Sequence, residues 1–304
     1  MTKTIVTGGA GFIGSHLLDS LIADETWGDI HVIDNFHRGR RENLNPHAGN
    51  PRLFIHEIDI RHYAALEKVL VDADYIFHLA AQSNVMGAIE NLDYSFETNV
   101  VGTYNVLKAA RAGGNPRVLF SSSREVYGEA QYVPVDENHP IGGKNSYGAS
   151  KVAGEVYCQV FAANFGLETV ILRLANVYGS RDFGRVIPLW LDRAKAAQDL
   201  IVFGGEQVID FVSVQQVVKA MTIAIRSDVV GTPINVGSGQ GTPILELAER
   251  ILAIAHTGSQ LDHQPARAVE VKQFVAQVDR MQALLALAPP ADPLAELETL
   301  YASW

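Results

Sequence analysis

The segment Thr7-Gly8-Gly9-Ala10-Gly11-Phe12-Ile13-Gly14 restricts the fold of this chain more than any other. It follows directly on the apolar run Thr4–Thr7 and leads into a helical pattern over Ile13–Ile22. Gly8, Gly11 and Gly14 stand three residues apart. Glycines there permit a sharp strand-to-helix turn and let backbone N–H groups, those of Phe12 and Ile13 among them, approach a pyrophosphate at the helix N-terminus. Gly14 lets the helix pack closely on the strand. A glycine cluster alone also marks plain turns, but at a first strand-to-helix junction it predicts a dinucleotide site.

The next strand-like run ends in Val32-Ile33-Asp34-Asn35, and Asp34 lies 20 residues beyond Gly14. That separation suits a carboxylate on the adenosine ribose hydroxyls, with Asn35 beside it. A carboxylate there repels a 2′-phosphate, so NAD is expected over NADP. Arg38, Arg40 and Arg41 follow closely and read as a solvated loop or a phosphate contact. Asp59-Ile60, after the third run, borders the adenine or simply ends a strand.

Strand-like runs and helical stretches alternate through the first two-thirds of the chain. Strands are expected at Thr4–Thr7, Ile30–Asp34, Leu53–Asp59, Tyr75–Leu79, Val118–Ser122 and Thr169–Leu174. Helices are expected at Ile13–Ile22, Tyr63–Val71, Glu97–Ala112 and Tyr147–Phe165. Near-continuous apolar strands in a βαβα order imply an α/β fold with a doubly wound parallel sheet covered on both faces. From about Asn176 the rhythm loosens into short apolar pieces, Arg185–Pro188, Leu200–Phe203 and Pro233–Val236. Thr242-Pro243 reads as an N-cap and first helical residue opening a helix over Ile244–Ala255. A dinucleotide domain over 1–175 is therefore expected, with a smaller mixed α/β lobe over 176–304 that returns some segments to the main sheet.

Charge and composition exclude other classes. A net charge of -10 without a basic run argues against a nucleic-acid surface. No apolar stretch nears the roughly 20 residues a membrane span needs. The N-terminus shows no secretory pattern, and the single cysteine, Cys158, reads as a small buried hydrophobe, so a reducing cytoplasm is expected. No metal-ligand set is expected.

Chemistry concentrates at two places. The fifth strand runs into Ser121-Ser122-Ser123-Arg124-Glu125-Val126-Tyr127-Gly128, and a later helix opens with Tyr147-Gly148-Ala149-Ser150-Lys151. Tyr147 and Lys151, four apart, share a helical face. A neighbouring ammonium favours phenolate, which a phenol of ordinary pKa about 10 needs to act as a base near neutrality. A serine hydroxyl from a strand end can hydrogen-bond the same substrate oxygen. The pair alone is a weak signal, but a glycine turn, a serine-rich strand end and Tyr-x-x-x-Lys in that order are specific.

These elements, with His78-Leu79-Ala80-Ala81, Asn99-Val100-Val101-Gly102-Thr103 and Arg173-Leu174-Ala175-Asn176-Val177-Tyr178-Gly179, make the chain resemble the extended short-chain dehydrogenase/reductase family in its nucleotide-sugar epimerase/dehydratase branch, over nearly its whole length. The resemblance implies a Rossmann-type fold binding NAD and a nucleotide-diphosphate sugar, a UDP-sugar favoured. It implies Tyr147 as the base that deprotonates a sugar hydroxyl, usually at C4. Lys151 would hold the nicotinamide ribose and lower the Tyr147 pKa, and Ser123 would be the hydroxyl partner. Leu79, Ala80 and Ala81 would pass under the cofactor with Asn99 nearby. Asn176 would meet the substrate diphosphate, backbone around Val186 and Ile187 would flank the nucleobase, and Arg267 would bind substrate from the tail.

Hydride transfer from C4 would give a transient 4-keto sugar, and return to the opposite face makes a 4-epimerase. Glu125 resembles the carboxylate that takes the C5 proton in dehydratases and decarboxylases of the branch, unless it is a surface group paired with Arg124. The commonest dehydratases have an Asp where Arg124 stands, and arginine cannot replace that acid. Epimerisation therefore ranks ahead of dehydration or decarboxylation. Ile209 stands where the family usually has a diphosphate-clamping Arg, with Arg181 or Arg185 as candidate replacements. An idle NAD-binding sensor and an NADP-consuming reductase are the competing classes. Apolar residues on more than one face of Glu97–Ala112 and Tyr147–Phe165, such as Val152, Val156 and Phe161, together with the resemblance, imply a homodimer.

Overall fold

The computed structural model describes residues 2–83, 85–266 and 271–304, with backbone only at 85 and 86. The first half runs β1 (Lys3–Thr7), α1 (Phe12–Ala23), β2 (Asp29–Asp34), β3 (Leu53–Glu57), α2 (Tyr63–Leu70) and β4 (Tyr75–His78). It continues through α3 (Val85–Glu90), α4 (Leu92–Phe96), α5 (Gly102–Ala112), β5 (Arg117–Ser123), α6 (Ser146–Phe165) and β6 (Thr169–Leu174). Then come β7 (Asn176–Tyr178), α7 (Val186–Lys195), β8 (Leu200–Phe203), β9 (Val208–Ile209), β10 (Phe211–Ser213), α8 (Val214–Ala224) and β11 (Pro233–Val236). The chain ends with β12 (Thr242–Pro243), α9 (Ile244–Ala255), β13 (Leu261–Gln264), β14 (Gln273–Phe274), α10 (Asp279–Leu285) and α11 (Leu297–Ser303).

One sheet of seven strands, in the order β11-β6-β5-β4-β1-β2-β3, organises the chain. The pairs linking β1 to β6 are parallel. The order reverses at β1, so β1 and β4 lead away from their shared edge in opposite directions, the kind of switch point outside whose strand ends α/β folds bind ligands. Every residue of β6 is buried, as a strand covered on both faces requires. Pro233–Val236 forms the outermost strand, beside β6.

The chain divides into two compact units. The first comprises Met1–Gly128, Pro140–Leu174 and Val218–Ile234, and the second comprises Glu129–His139, Ala175–Val217 and Asn235–Trp304. Within the first, Ile5, Ile33 and Ile76 of the sheet pack with Leu66 and Leu70 of α2, Val106 of α5 and Cys158 of α6. Cys158 is thus the buried hydrophobe expected, and burial pushes its thiol pKa up. Within the second, Trp190 and Leu191 of α7 pack with Leu247 and Ile251 of α9 and Leu297 of α11. Among the described residues no helix is long and apolar enough to cross a membrane, and no group of three or more potential ligands is arranged to hold a metal ion.

Two local readings need correction. The helix expected at Glu97–Ala112 begins earlier, at Leu92, and passes through a π turn at Glu97–Val101 before α5. Thr242-Pro243 does not open α9 as cap and first residue. It pairs antiparallel with Val208–Ile209, and Pro243 itself stands at the N-cap. The ladder to a distant strand overrode the local capping signal.

Candidate active site

The glycine turn is held against the loop that follows β4. Gly8 has a φ of +74°, and a Cβ there would lie 2.7 Å from Ala80 N. A Cβ on Gly14 would lie 2.2 Å from Gly8 O, so helix and turn touch backbone to backbone. At Gly11 a Cβ would meet only Gly8 O, at 3.1 Å, and is otherwise in open space. The α1 N-terminus has no side-chain cap and no acidic residue in its first turn. An unblocked helix N-terminus bordered by a bare glycine suits an anionic pyrophosphate, so the residues present fit NAD.

Asp34 closes this turn from the end of β2. It is 7% exposed, and its carboxylate accepts the Ala10 N–H at 3.0 Å and the Phe36 N–H at 2.9 Å. Burial raises its pKa against those two bonds. Asn35 donates to Asp59 at 2.8 Å. Burial acts to raise the Asp59 pKa, but the hydrogen bonds from Arg61 and Asn35 prevail and hold it at about 2. Asp59 is therefore a paired carboxylate as well as a strand-end group. The Ile60 side chain is spent in the core, 4% exposed and packed against Gly102.

Beneath the same turn lies a histidine to which the sequence reading gave no role. His78 Nδ1 lies 2.7 Å from Thr7 Oγ1 and its Nε2 lies 2.9 Å from Thr103 Oγ1. Thr103 Oγ1 donates to Asn99 O, so it accepts from His78 Nε2–H. Nδ1 then accepts from Thr7, and Thr7 accepts from Ala80 N–H at 3.3 Å. The ring is neutral: burial, and after it the Lys151 ammonium, push its pKa down to about 3. This relay seats Leu79, Ala80 and Ala81, all half-buried, next to Gly8.

Asn99, on the π turn, ties that loop to the helix of Tyr147. Its Oδ1 accepts from Gln82 N at 2.7 Å, and its Nδ2 donates to Gln82 O and to Ser150 Oγ at 2.9 Å. Ser150 Oγ donates to Tyr147 O. A π turn supplies the extra residue that aims Asn99 across to α6.

Tyr147 lies in the first turn of α6, half-buried, and Lys151 one turn on is 4% exposed. Lys151 Nζ donates to Ser121 O at 2.7 Å and sits 5.8 Å from the Tyr147 ring centroid. Burial pushes the Lys151 pKa down to about 8. Ser123 ends β5 and its Oγ accepts the Glu125 N–H at 3.2 Å, leaving the hydroxyl hydrogen to donate elsewhere. Glu125 is 7% exposed. Arg124 pairs with its Oε1 at 3.0 Å and Asn145 donates to its Oε2 at 2.8 Å. The side chain of Asn145 also caps α6 through Gly148 N. Reading the helix start at Tyr147 concealed this cap, although an asparagine two residues earlier was the available signal.

The substrate candidates fall in the second unit. Asn176 N donates to Asp210 O where β7 pairs with β10. Ile187 is 2% exposed in the core, so only its backbone can border a base, and Val186 packs against the same cluster. Ile209 joins that apolar cluster too. Asp210 beside it is fully buried and accepts from Ser238 N, Ser238 Oγ, Gly239 N and Ala276 N. Arg185 pairs with Asp182. Arg267 lies outside the described residues.

The model of the NAD dependent epimerase/dehydratase family matches residues 4–237. A Methanocaldococcus jannaschii protein provisionally named a UDP-glucose 4-epimerase is 38% identical over 92% of this chain and 91% of its own. UDP-glucuronic acid decarboxylase 1 of Arabidopsis thaliana is 34% identical over 86% of this chain, which spans 60% of that enzyme's length. The UDP-glucose 4-epimerase of Thermotoga maritima, solved with UDP-glucose, superposes with a TM-score of 0.93 at 30% identity over 99% of this chain and 98% of that one.

Proposed function

Because the chain belongs to the NAD-dependent epimerase/dehydratase family, we propose that it is a UDP-sugar 4-epimerase working through a transient 4-keto sugar. The observation that carries this reading is the Lys151 ammonium, buried and held on Ser121 O, 5.8 Å from the Tyr147 ring. A fixed cation stabilises the Tyr147 phenolate, so Tyr147 Oη takes the proton of the sugar hydroxyl and returns it. Ser123 Oγ donates a hydrogen bond to the same sugar oxygen. Bound NAD supplies two-electron oxidation and re-reduction at that carbon. Asp34 favours NAD by repelling a 2′-phosphate, and the glycine turn holds the pyrophosphate.

Epimerisation is favoured over loss of water or carbon dioxide by the state of Glu125. Both of its carboxylate oxygens are engaged, by Arg124 and by Asn145, which disfavours it as a free base at C5. The decarboxylase relative keeps the lyase reading as the alternative. Incubation with a panel of nucleotide-sugars, with products read by mass, separates the reactions. An isomer supports epimerisation, while loss of water or carbon dioxide overturns it. Tyr147→Phe is expected to lose turnover by at least a hundredfold, and normal turnover by that variant removes the base assigned here.

On this reading residues 1–175 carry the cofactor and 176–304 the nucleotide-sugar, through Asn176, the backbone at Val186 and Ile187, and Arg267. The protein works as a homodimer in the cytoplasm. Phe96, Tyr104, Val156 and Val160 support the dimer, since each is at least 39% exposed on α4, α5 or α6. Phe161, by contrast, is 4% exposed in the core and has no part in it. A monomer by light scattering contradicts the dimer.

A further inference from the structure

Further along α6 from Tyr147 and Lys151, a second set of buried side chains centres on Glu155. Glu155 of α6 and Arg173 of β6 form a two-pronged ion pair, Nε to Oε1 at 2.9 Å and Nη2 to Oε2 at 2.7 Å. Ser122 Oγ donates to the same Oε1 at 2.5 Å. Arg173 Nη1 donates to Tyr127 Oη at 3.0 Å. All four residues are at most 2% exposed.

Taking two charges out of water is costly, and well-packed apolar residues of similar size often serve stability as well or better. A buried ion pair is therefore weak evidence of a stabilising role on its own. Its connections are more telling. Ser122 and Tyr127 bracket the turn of Ser123, Arg124 and Glu125, and both ends of that turn converge on one ion pair. Glu155 follows Lys151 by one helical turn and Tyr147 by two, on the same face of α6. One rigid, forked contact thus fixes both the serine turn and the tyrosine helix.

We infer that Glu155 and Arg173, with Ser122 and Tyr127, are positioning residues that set the serine turn against the tyrosine helix for the reaction. The inference rests on Tyr147 as base and Ser123 as its hydroxyl partner. Loss of one grip leaves ligand binding intact and displaces the reacting groups by the fraction of an ångström that costs turnover.

The test uses the NAD-loaded enzyme and four variants: Tyr127→Phe, Ser122→Ala, the double variant Glu155→Leu with Arg173→Met, and Tyr147→Phe as control. The first three are expected to lose tenfold or more in kcat with KM within twofold. Amide hydrogen exchange should speed up together in residues 122–128 and 145–151. Unchanged kcat, or unchanged exchange in those two segments, overturns the inference. So does a fall in melting temperature with kcat intact, which marks mere packing. Should the double variant not fold, Tyr127→Phe, which removes one oxygen, decides alone. If the parent turns over no nucleotide-sugar, the proposed activity is at fault; if Tyr147→Phe turns over normally, the assigned base is at fault; in either case the exchange data still judge the clamp.

Discussion

Acidification from pH 7 to pH 5 loads the unfolded chain, but not the folded one, with a proton at His78. An unfolded histidine titrates near 6.5, whereas burial holds His78 at about 3 in the fold. A depressed histidine pKa contributes stability that is present above 6.5 and is lost as pH falls through the window toward 3. At pH 5 the linkage relation gives a loss of about 2 kcal/mol from this residue alone. The ring cannot escape by turning, because Thr7 and Thr103 occupy both nitrogens. The assay is urea unfolding at the two pH values with saturating NAD, for the parent and for His78→Gln. The other titrating groups act alike in both proteins, so the difference between their pH responses isolates His78. The parent should lose about 2 kcal/mol more than the variant on acidification. Equal losses in the two proteins refute the buried neutral ring and with it the relay that seats Ala80 beside Gly8.

On the proposed mechanism turnover should fall as pH rises through about 8, where burial lets Lys151 lose its charge. In Lys151→Arg, which stays charged, that alkaline limb should vanish from the log kcat profile even though the rate is lower. Gly14→Ala places a Cβ 2.2 Å from Gly8 O and must push α1 off the turn. The purified variant should carry little NAD by absorbance and show no thermal shift on adding it, and retention of parental NAD content contradicts the close packing. Asn145→Ala removes the α6 cap and one of the two grips on Glu125. Unfolding should show a loss of about 1 kcal/mol. Kinetics should show reduced kcat at unchanged KM, and full activity in the variant dissociates Glu125 from the helix start.

The strand and helix order was legible because it depends on short-range chemistry. The glycine turn, the apolar run Val170–Leu172 within β6 and the four-residue spacing of Tyr147 and Lys151 each declare themselves within a few positions. Errors came where a partner lay far off. Thr242-Pro243 looked like a helix cap until it paired with Val208–Ile209. Ile209 read as a missing clamp, but no local signal announced that it would join an apolar cluster with Val186. The π turn at Glu97–Val101 has no composition of its own, and it carries Asn99, whose amide bonds both Gln82 and Ser150.

By itself the sequence determined that a glycine turn would open a helix after the first strand and that Tyr147 and Lys151 would share one helical face, since turn stereochemistry and helical period are properties of neighbouring residues. Tertiary structure alone decided what surrounds them. His78 meets Thr7 across 71 positions, and Arg173 meets Glu155 across 18. Burial and hydrogen-bond partners are set by which strands lie side by side, and those partners decide whether a histidine is neutral or a carboxylate is engaged.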